Sequence, residues 1–146
     1  MSKKNYSTKP GENSAKALGT NLTISPKQSI EVCSFIRNRK LQVAKKMLEE
    51  VLTKTIAVPF TRYNKGLGHR KGNMASGRYP LKTCSQILKL LNSAESNAQN
   101  KGLNSNNLVI THINAHRGTR IQRHKRVGST TAKLTHVEIV LEEQKW

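Results

Sequence analysis

Residues 116 to 128, HRGTRIQRHKRVG, hold five Arg or Lys side chains, two His and no acid. A second stretch, residues 53 to 80, TKTIAVPFTRYNKGLGHRKGNMASGRYP, carries six Lys or Arg, four Gly, two Pro and again no acid. The chemistry open to such segments is anion binding, because guanidinium groups grip phosphate oxygens in pairs and Lys adds a mobile point charge. Glycine lets the backbone come close to a phosphate, and Tyr63 or Tyr79 supplies a ring for a splayed base. The candidate contact residues are Arg62, Tyr63, Lys65, Arg70, Lys71 and Arg78 in the longer stretch, and Arg117, Arg120, Arg123, Lys125, Arg126 and Lys133 in and after the shorter one.

Bond-making chemistry has little to work with. All 8 acids are Glu, so the clustered carboxylates that hold a catalytic Mg2+ are missing, and Glu49, Glu50, Glu142 and Glu143 read as solvated charges near element ends. His69, His112, His116, His124 and His136 have no Cys or carboxylate neighbour at ligand spacing, and a zinc site would require Cys33 and Cys84 to meet two of them across the fold. GLGHRKG lacks the order of a nucleotide-binding phosphate loop, and no Ser, Cys or Lys sits in a nucleophile motif. The expectation is a binding protein with no enzyme activity, no cofactor and no metal.

The balance of 26 Lys and Arg against 8 Glu gives a formal charge of +18. A chain so charged repels itself until an anion neutralises it, and a polyphosphate does so with the entropy of released counterions. Nucleic acid is therefore the expected partner. Six aromatic residues are too few for a base-stacking sheet, so contacts should go mainly to phosphate and sugar, which favours a fixed, folded RNA surface. Charge alone also admits a DNA-binding architectural protein, with Ile121 and Val127 as its wedge candidates. A membrane partner is not expected: no basic amphipathic helix, signal peptide or spanning segment is legible. Cys33 and Cys84, on apolar helix faces, read as buried thiols in a reducing compartment.

The elements that would carry these residues follow from periodicity. Residues 1 to 19 are polar and basic and are expected to form a flexible tail; residues 20 to 146 form one domain, with NLTIS as a short strand. Ser25-Pro26-Lys27-Gln28 is a helix start with the makings of a capping box. Ile30, Cys33, Phe35 and Ile36, then Leu41, Ala44, Met47, Leu48 and Val51, recur at helical spacing on either side of Asn38, which can end the first helix in a left-handed turn. Residues 53 to 80 form an irregular basic insertion. A third helix is expected from about 82 to 100, stopped by Gly102. From Leu108 the period becomes two, with Val109, Thr111 and Ile113 opposite Leu108, Ile110 and His112, and Val137, Ile139 and Leu141 alternate likewise. These strands are expected to be the arms of an extended hairpin over 113 to 137. The fold class is α+β: three helices on a small antiparallel sheet with a long protruding β-hairpin.

VPFTRYNKGLG (58 to 68), GRYPLKTCSQILKLLNSAESNAQNKGL (77 to 103), LVITHI (108 to 113) and HVEIVL (136 to 141), with IRNRKLQVAKKML (36 to 48), resemble the universal large-subunit ribosomal protein twenty-two family, seventeen in older eukaryotic usage, in its archaeal and eukaryotic form. The resemblance spans about residues 20 to 142. It implies a structural constituent of cytosolic ribosomes in the cytoplasm, bound to large-subunit ribosomal RNA and neighbouring large-subunit ribosomal proteins, with its globular part near the outer opening of the peptide exit tunnel. It also implies that the hairpin reaches the tunnel wall, where the nascent peptide passes, and that its tip comprises Ile121, Gln122, Arg123, His124, Lys125, Arg126, Val127 and Gly128. Two departures stand out: the interval from Ile113 to Val137 is shorter than usual, and Ser129 replaces the Arg that commonly follows the tip Gly. The chain ends at Trp146 without the long basic extension typical of eukaryotic members, which points to a reduced ribosome.

Overall fold

Alternating small and branched apolar residues in three segments build the sheet on which everything else rests. In the computed structural model, which describes residues 6–124, 126 and 130–144, strands β1 (Ser14–Leu22), β7 (Thr135–Glu143) and β4 (Leu108–Arg117) form one antiparallel sheet in the order β1-β7-β4. Helices α1 (Pro26–Ile36), α2 (Leu41–Leu52) and α3 (Leu81–Asn100) pack on one of its faces. Between sheet and helices lies the core, with Val32, Ile36, Leu41, Leu48, Ile87, Leu91, Ile110, Ile113, Ile139 and Leu141 fully buried.

The helices form where the apolar spacing predicts, and their punctuation is chemical. Asn38 adopts the left-handed φ of 59° that turns α1 into α2. Gly102, at φ +75°, follows the end of α3. Ser25 precedes α1 without a side-chain capping bond, so the expected capping box does not form. Gln28 instead accepts from Thr83 Oγ1 at 3.4 Å, tying α1 to α3. Lys45 and Glu95 pair at 2.5 Å between α2 and α3.

Three expectations need correction. Residues 14 to 19 are not tail: they form most of β1, because Ala15 and Ala17 are small enough to lie flat beneath α3 and are buried there. Asn97 Nδ2 and Lys101 Nζ donate to the outer carbonyls of Lys16 and Ser14, closing an edge that would otherwise invite another strand. Simple alternation fails in β4, where a register shift between Ile110 and His112 takes Thr111 out of phase. Leu108, Ile110, Ile113 and Ala115 thereby share the core. The insertion is also more ordered than its composition implies. Strands β2 (Val58–Pro59) and β3 (Gly77–Arg78) pair at its base, and His69 bridges Ser76 farther out.

The hairpin does protrude, but it leaves the sheet later than residue 113. Ile113 to Arg117 pair with Thr135 to Ile139 inside the main sheet. Past them β5 (Ile121–Arg123) pairs with β6 (Thr130–Ala132) as a separate ribbon, with β5 exposed throughout. Gly118 marks the break. Its amide donates to the Leu134 carbonyl at 2.8 Å, and a Cβ there would lie 3.0 Å from Leu134 Cβ and 3.1 Å from its carbonyl oxygen. Gly118→Ala should therefore lower stability by about 1–3 kcal/mol in chemical denaturation. Gly68→Ala, whose added methyl meets nothing within 4 Å, should leave it unchanged.

Candidate nucleic-acid interface

Residues 61 to 63 owe their position to one carboxylate. Glu31, on α1, is buried to 2% exposure, and no cation neutralises it by a direct ion pair among the described residues. Its Oε1 accepts the backbone N–H of Arg62 at 2.9 Å and of Tyr63 at 2.8 Å, while Oε2 accepts the N–H of Thr61 at 3.2 Å. Converging amides are a strong seat for a carboxylate. The loop cannot lift away without stripping that charge of its donors. Tyr63 then lies beneath two cations, with Lys27 Nζ and the Arg62 guanidinium each 5.4 Å from its ring centre.

This arrangement sets the insertion beside the start of α1 and the root of the hairpin. A cleft of about 460 Å³ is lined by Lys27, Arg62, Tyr63, Lys65, Arg78 and Lys133 among others. A smaller one of about 180 Å³ continues it along Lys27, Arg117, Gly118, Arg120 and Lys133. The two share Ser25, Lys27 and Lys133, so they form one trough running from the insertion across the first turn of α1 to the hairpin, and no acid lines either part. That first turn has no acidic side chain and no side-chain cap, so its free amides add positive potential.

Of the residues singled out in the sequence, Arg62, Tyr63, Lys65, Arg78, Arg117, Arg120 and Lys133 meet in the trough. Arg70 and Lys71 do not line it. They are exposed farther out in the insertion, where Arg70 lies 5.4 Å from the Tyr79 ring centre and donates to the Gly77 carbonyl. Ile121, Gln122, Arg123, His124 and Arg126 are exposed along the ribbon; Lys125, Val127 and Gly128 lie outside the described residues. Sequence reasoning missed Lys27 and Glu31. Lys27 was legible as a cation in the first turn of a helix, whereas no local pattern could tie Glu31 to a loop thirty residues away.

A second buried carboxylate organises the other face of the sheet. Glu138, 3% exposed, accepts His112 Nε2 at 2.9 Å and His116 Nε2 at 3.1 Å, and both the amide and the hydroxyl of Ser7 donate to it. Burial alone would raise its pKa. Hydrogen bonds from His112, Ser7 and His116 outweigh that and bring it down to about 2. Cys33 and Cys84 are both free and buried, and burial pushes each thiol up to about 12, so neither is a nucleophile at neutral pH. Among the described residues no group of three or more His, Cys or Glu could hold a metal ion, and no helix is long and apolar enough to cross a membrane.

Residues 17–142 match the family model described as ribosomal protein L22p/L17e. The large ribosomal subunit protein uL22 of Methanosphaera stadtmanae is 44% identical, over 98% of this chain and 99% of its own length. That of Methanococcoides burtonii is 42% identical over 98% and 99%, and that of Nanoarchaeum equitans 43% over 92% and 81%. The chain belongs to the ribosomal protein L22p/L17e family. Membership decides between the nucleic acids that charge alone left open: this is a structural, rRNA-binding protein of the large ribosomal subunit, in the cytoplasm, and not an enzyme. Ribosomal RNA and other ribosomal proteins are its partners.

Two outcomes test the carboxylate anchors. Glu31→Ala should cost about 1–3 kcal/mol in chemical denaturation and abolish hydrogen-exchange protection of the amides of residues 61 to 63. For Glu138 the folded pKa of about 2 lies below the ordinary 4.5, so its stabilisation is complete above pH 4.5 and is lost as pH falls toward 2. The stability difference between the native chain and Glu138→Gln should shrink as pH falls from 4.5 toward 2; a difference that persists undiminished down to pH 2 contradicts the assignment.

Proposed function

We propose that the acid-free trough and the protruding ribbon together clasp large-subunit ribosomal RNA near the peptide exit tunnel, the trough gripping one RNA segment while the ribbon passes between others toward the tunnel wall. The observation that carries this reading is the continuity of the trough. Arg62, Lys65 and Arg78 from the insertion, Lys27 from α1, and Arg117, Arg120 and Lys133 from the hairpin root line one uninterrupted cationic path. Such a path fits a phosphate backbone, whose charges repeat every few ångströms and demand a series of cations rather than a single pocket.

Past Gly118 the ribbon has the makings of an element that needs its partner. A two-stranded arm is marginal in water, and Arg120, Arg123 and Arg126 are exposed along it with no salt bridge to any described residue. RNA packed on several sides supplies the missing counter-charge. The exposed Ile121, at 55%, then serves as an apolar contact to a base or sugar rather than to solvent. At its far end the ribbon faces the nascent peptide, with Gln122, Arg123 and His124 leading to the tip. Arg70 and Lys71, outside the trough, extend the phosphate contacts along the insertion.

Replacing Arg120, Arg123, Lys125 and Arg126 together with Ala should leave the helical circular dichroism unchanged and weaken binding to large-subunit ribosomal RNA. The slope of log affinity against log salt should become shallower by roughly 0.7–0.9 for each phosphate that the variant no longer neutralises. An unchanged slope contradicts the role given to the ribbon. Sedimentation with large subunits through a high-salt gradient tests the assembly itself: the native chain should co-sediment, and duplex DNA should not compete it away.

A further inference from the structure

The sheet face opposite the helices carries a cleft of about 650 Å³ that the trough does not use. Its walls are the Tyr6 ring, Leu18 of β1, and the imidazoles of His116 and His136. Those two histidines are direct cross-strand partners in β4 and β7, so their rings stand side by side on one face. Flat rings with an apolar wall are the surroundings a nucleobase seeks when it leaves its stack.

The hydrogen-bonding groups around the cleft have fixed senses. The Asn21 amide donates to His136 Nδ1 at 3.1 Å, so the ring proton of His136 sits on Nε2 and makes it a donor. His116 uses Nε2 to donate to Glu138, which leaves its Nδ1 as an acceptor in the neutral ring. Glu138 itself already accepts from two imidazoles and from Ser7 twice, so its charge is spent inside the protein rather than turned against an incoming nucleotide.

The backbone is bent to make this place. Between Gly19 and Leu22 the pairing of β1 with β7 shifts register, and Asn21 takes a φ of 55° although it is not glycine. That conformation is costly for a residue with a side chain and needs surroundings that hold it. Its effect is to point the Asn21 amide at His136 and to leave the Asn21 side chain exposed at the cleft rim, with donor and acceptor atoms both available. A cation flanks the opening: Lys16 Nζ stands 5.2 Å from the Tyr6 ring centre.

We infer that this cleft receives a single unpaired nucleobase of the ribosomal RNA, stacked on Tyr6 and held at its edge by His136 Nε2, His116 Nδ1 and the Asn21 side chain. The inference rests on the RNA-binding reading and adds to it a base contact on the face opposite the trough, so that RNA grips the sheet from both sides. Base recognition here differs from the phosphate contacts of the trough, because stacking and edge hydrogen bonds are insensitive to salt.

A density map of native large subunits carrying this chain tests it directly. The expected result is a planar base lying about 3.5–4 Å from the Tyr6 ring. A side chain of a neighbouring protein, residues of this chain preceding Tyr6, or solvent alone in the cleft would overturn it while leaving the trough contacts standing. A particle whose RNA avoids the trough as well would instead defeat the wider reading. In binding to large-subunit ribosomal RNA, Tyr6→Ala should weaken affinity by between about fivefold and a hundredfold, the range of base-on-ring stacking losses, and Tyr6→Phe should retain native affinity with an unchanged salt slope. Equal affinities for all three proteins would also overturn the inference.

Discussion

Three backbone amides converging on the buried carboxylate of Glu31 hold the basic insertion against the body of the protein. Pairing with Val58 fixes Arg78, but without that seat little else would keep Arg62 and Lys65 beside Lys27 and Lys133, because cations at such spacing repel. A surface salt bridge could do the same job only weakly, since exposed ion pairs contribute little and are screened by salt. A buried carboxylate bonded to amides instead organises the loop without consuming any of the positive side chains that the RNA needs.

The same economy recurs at Glu138. It gathers His112, His116 and the N-terminal Ser7 on the second face of the sheet, again without neutralising an Arg or Lys. Glu95, which does pair with Lys45, lies between α2 and α3, away from the trough. Glu31, Glu138 and Glu95 thus serve the architecture. The cations are left facing outward in an order the fold determines: the insertion, the helix start, the hairpin root, then the ribbon. A net charge of +18 is tolerable in such a protein because its working state includes a polyanion.

How far this was legible in the chain depended on the range of the interaction. The helices could be read because Leu41, Ala44, Leu48 and Val51 repeat at helical spacing, and all of them are buried. The turn at Asn38 and the stop at Gly102 were legible as left-handed positions, and both have positive φ. β1 was hidden, because Ala15 and Ala17 carry little apolar signal and become core only once α3 covers them. The bulge at Thr111 was hidden for a different reason: the residues on both sides alternate well, and only the demand that Ile110 and Ile113 share a core shifts the phase. In the trough, the cations were legible from charge and the absence of acids, while their meeting point was not. It depends on Glu31 reaching residues 61 to 63 and on Gly118 letting the hairpin root close against Leu134, interactions that span the fold.

The positive side chains work because they are held in place, and one comparison isolates that claim: the affinity and salt slope of the native chain and of Glu31→Ala for large-subunit ribosomal RNA. Removing a negative charge beside a polyanion site should strengthen binding if charge alone matters. If preorganisation matters, affinity should fall by roughly tenfold, the cost of re-ordering a few released side chains on binding, while the salt slope stays as it was because the same cations still meet phosphate. Tighter or equal binding by Glu31→Ala would contradict it.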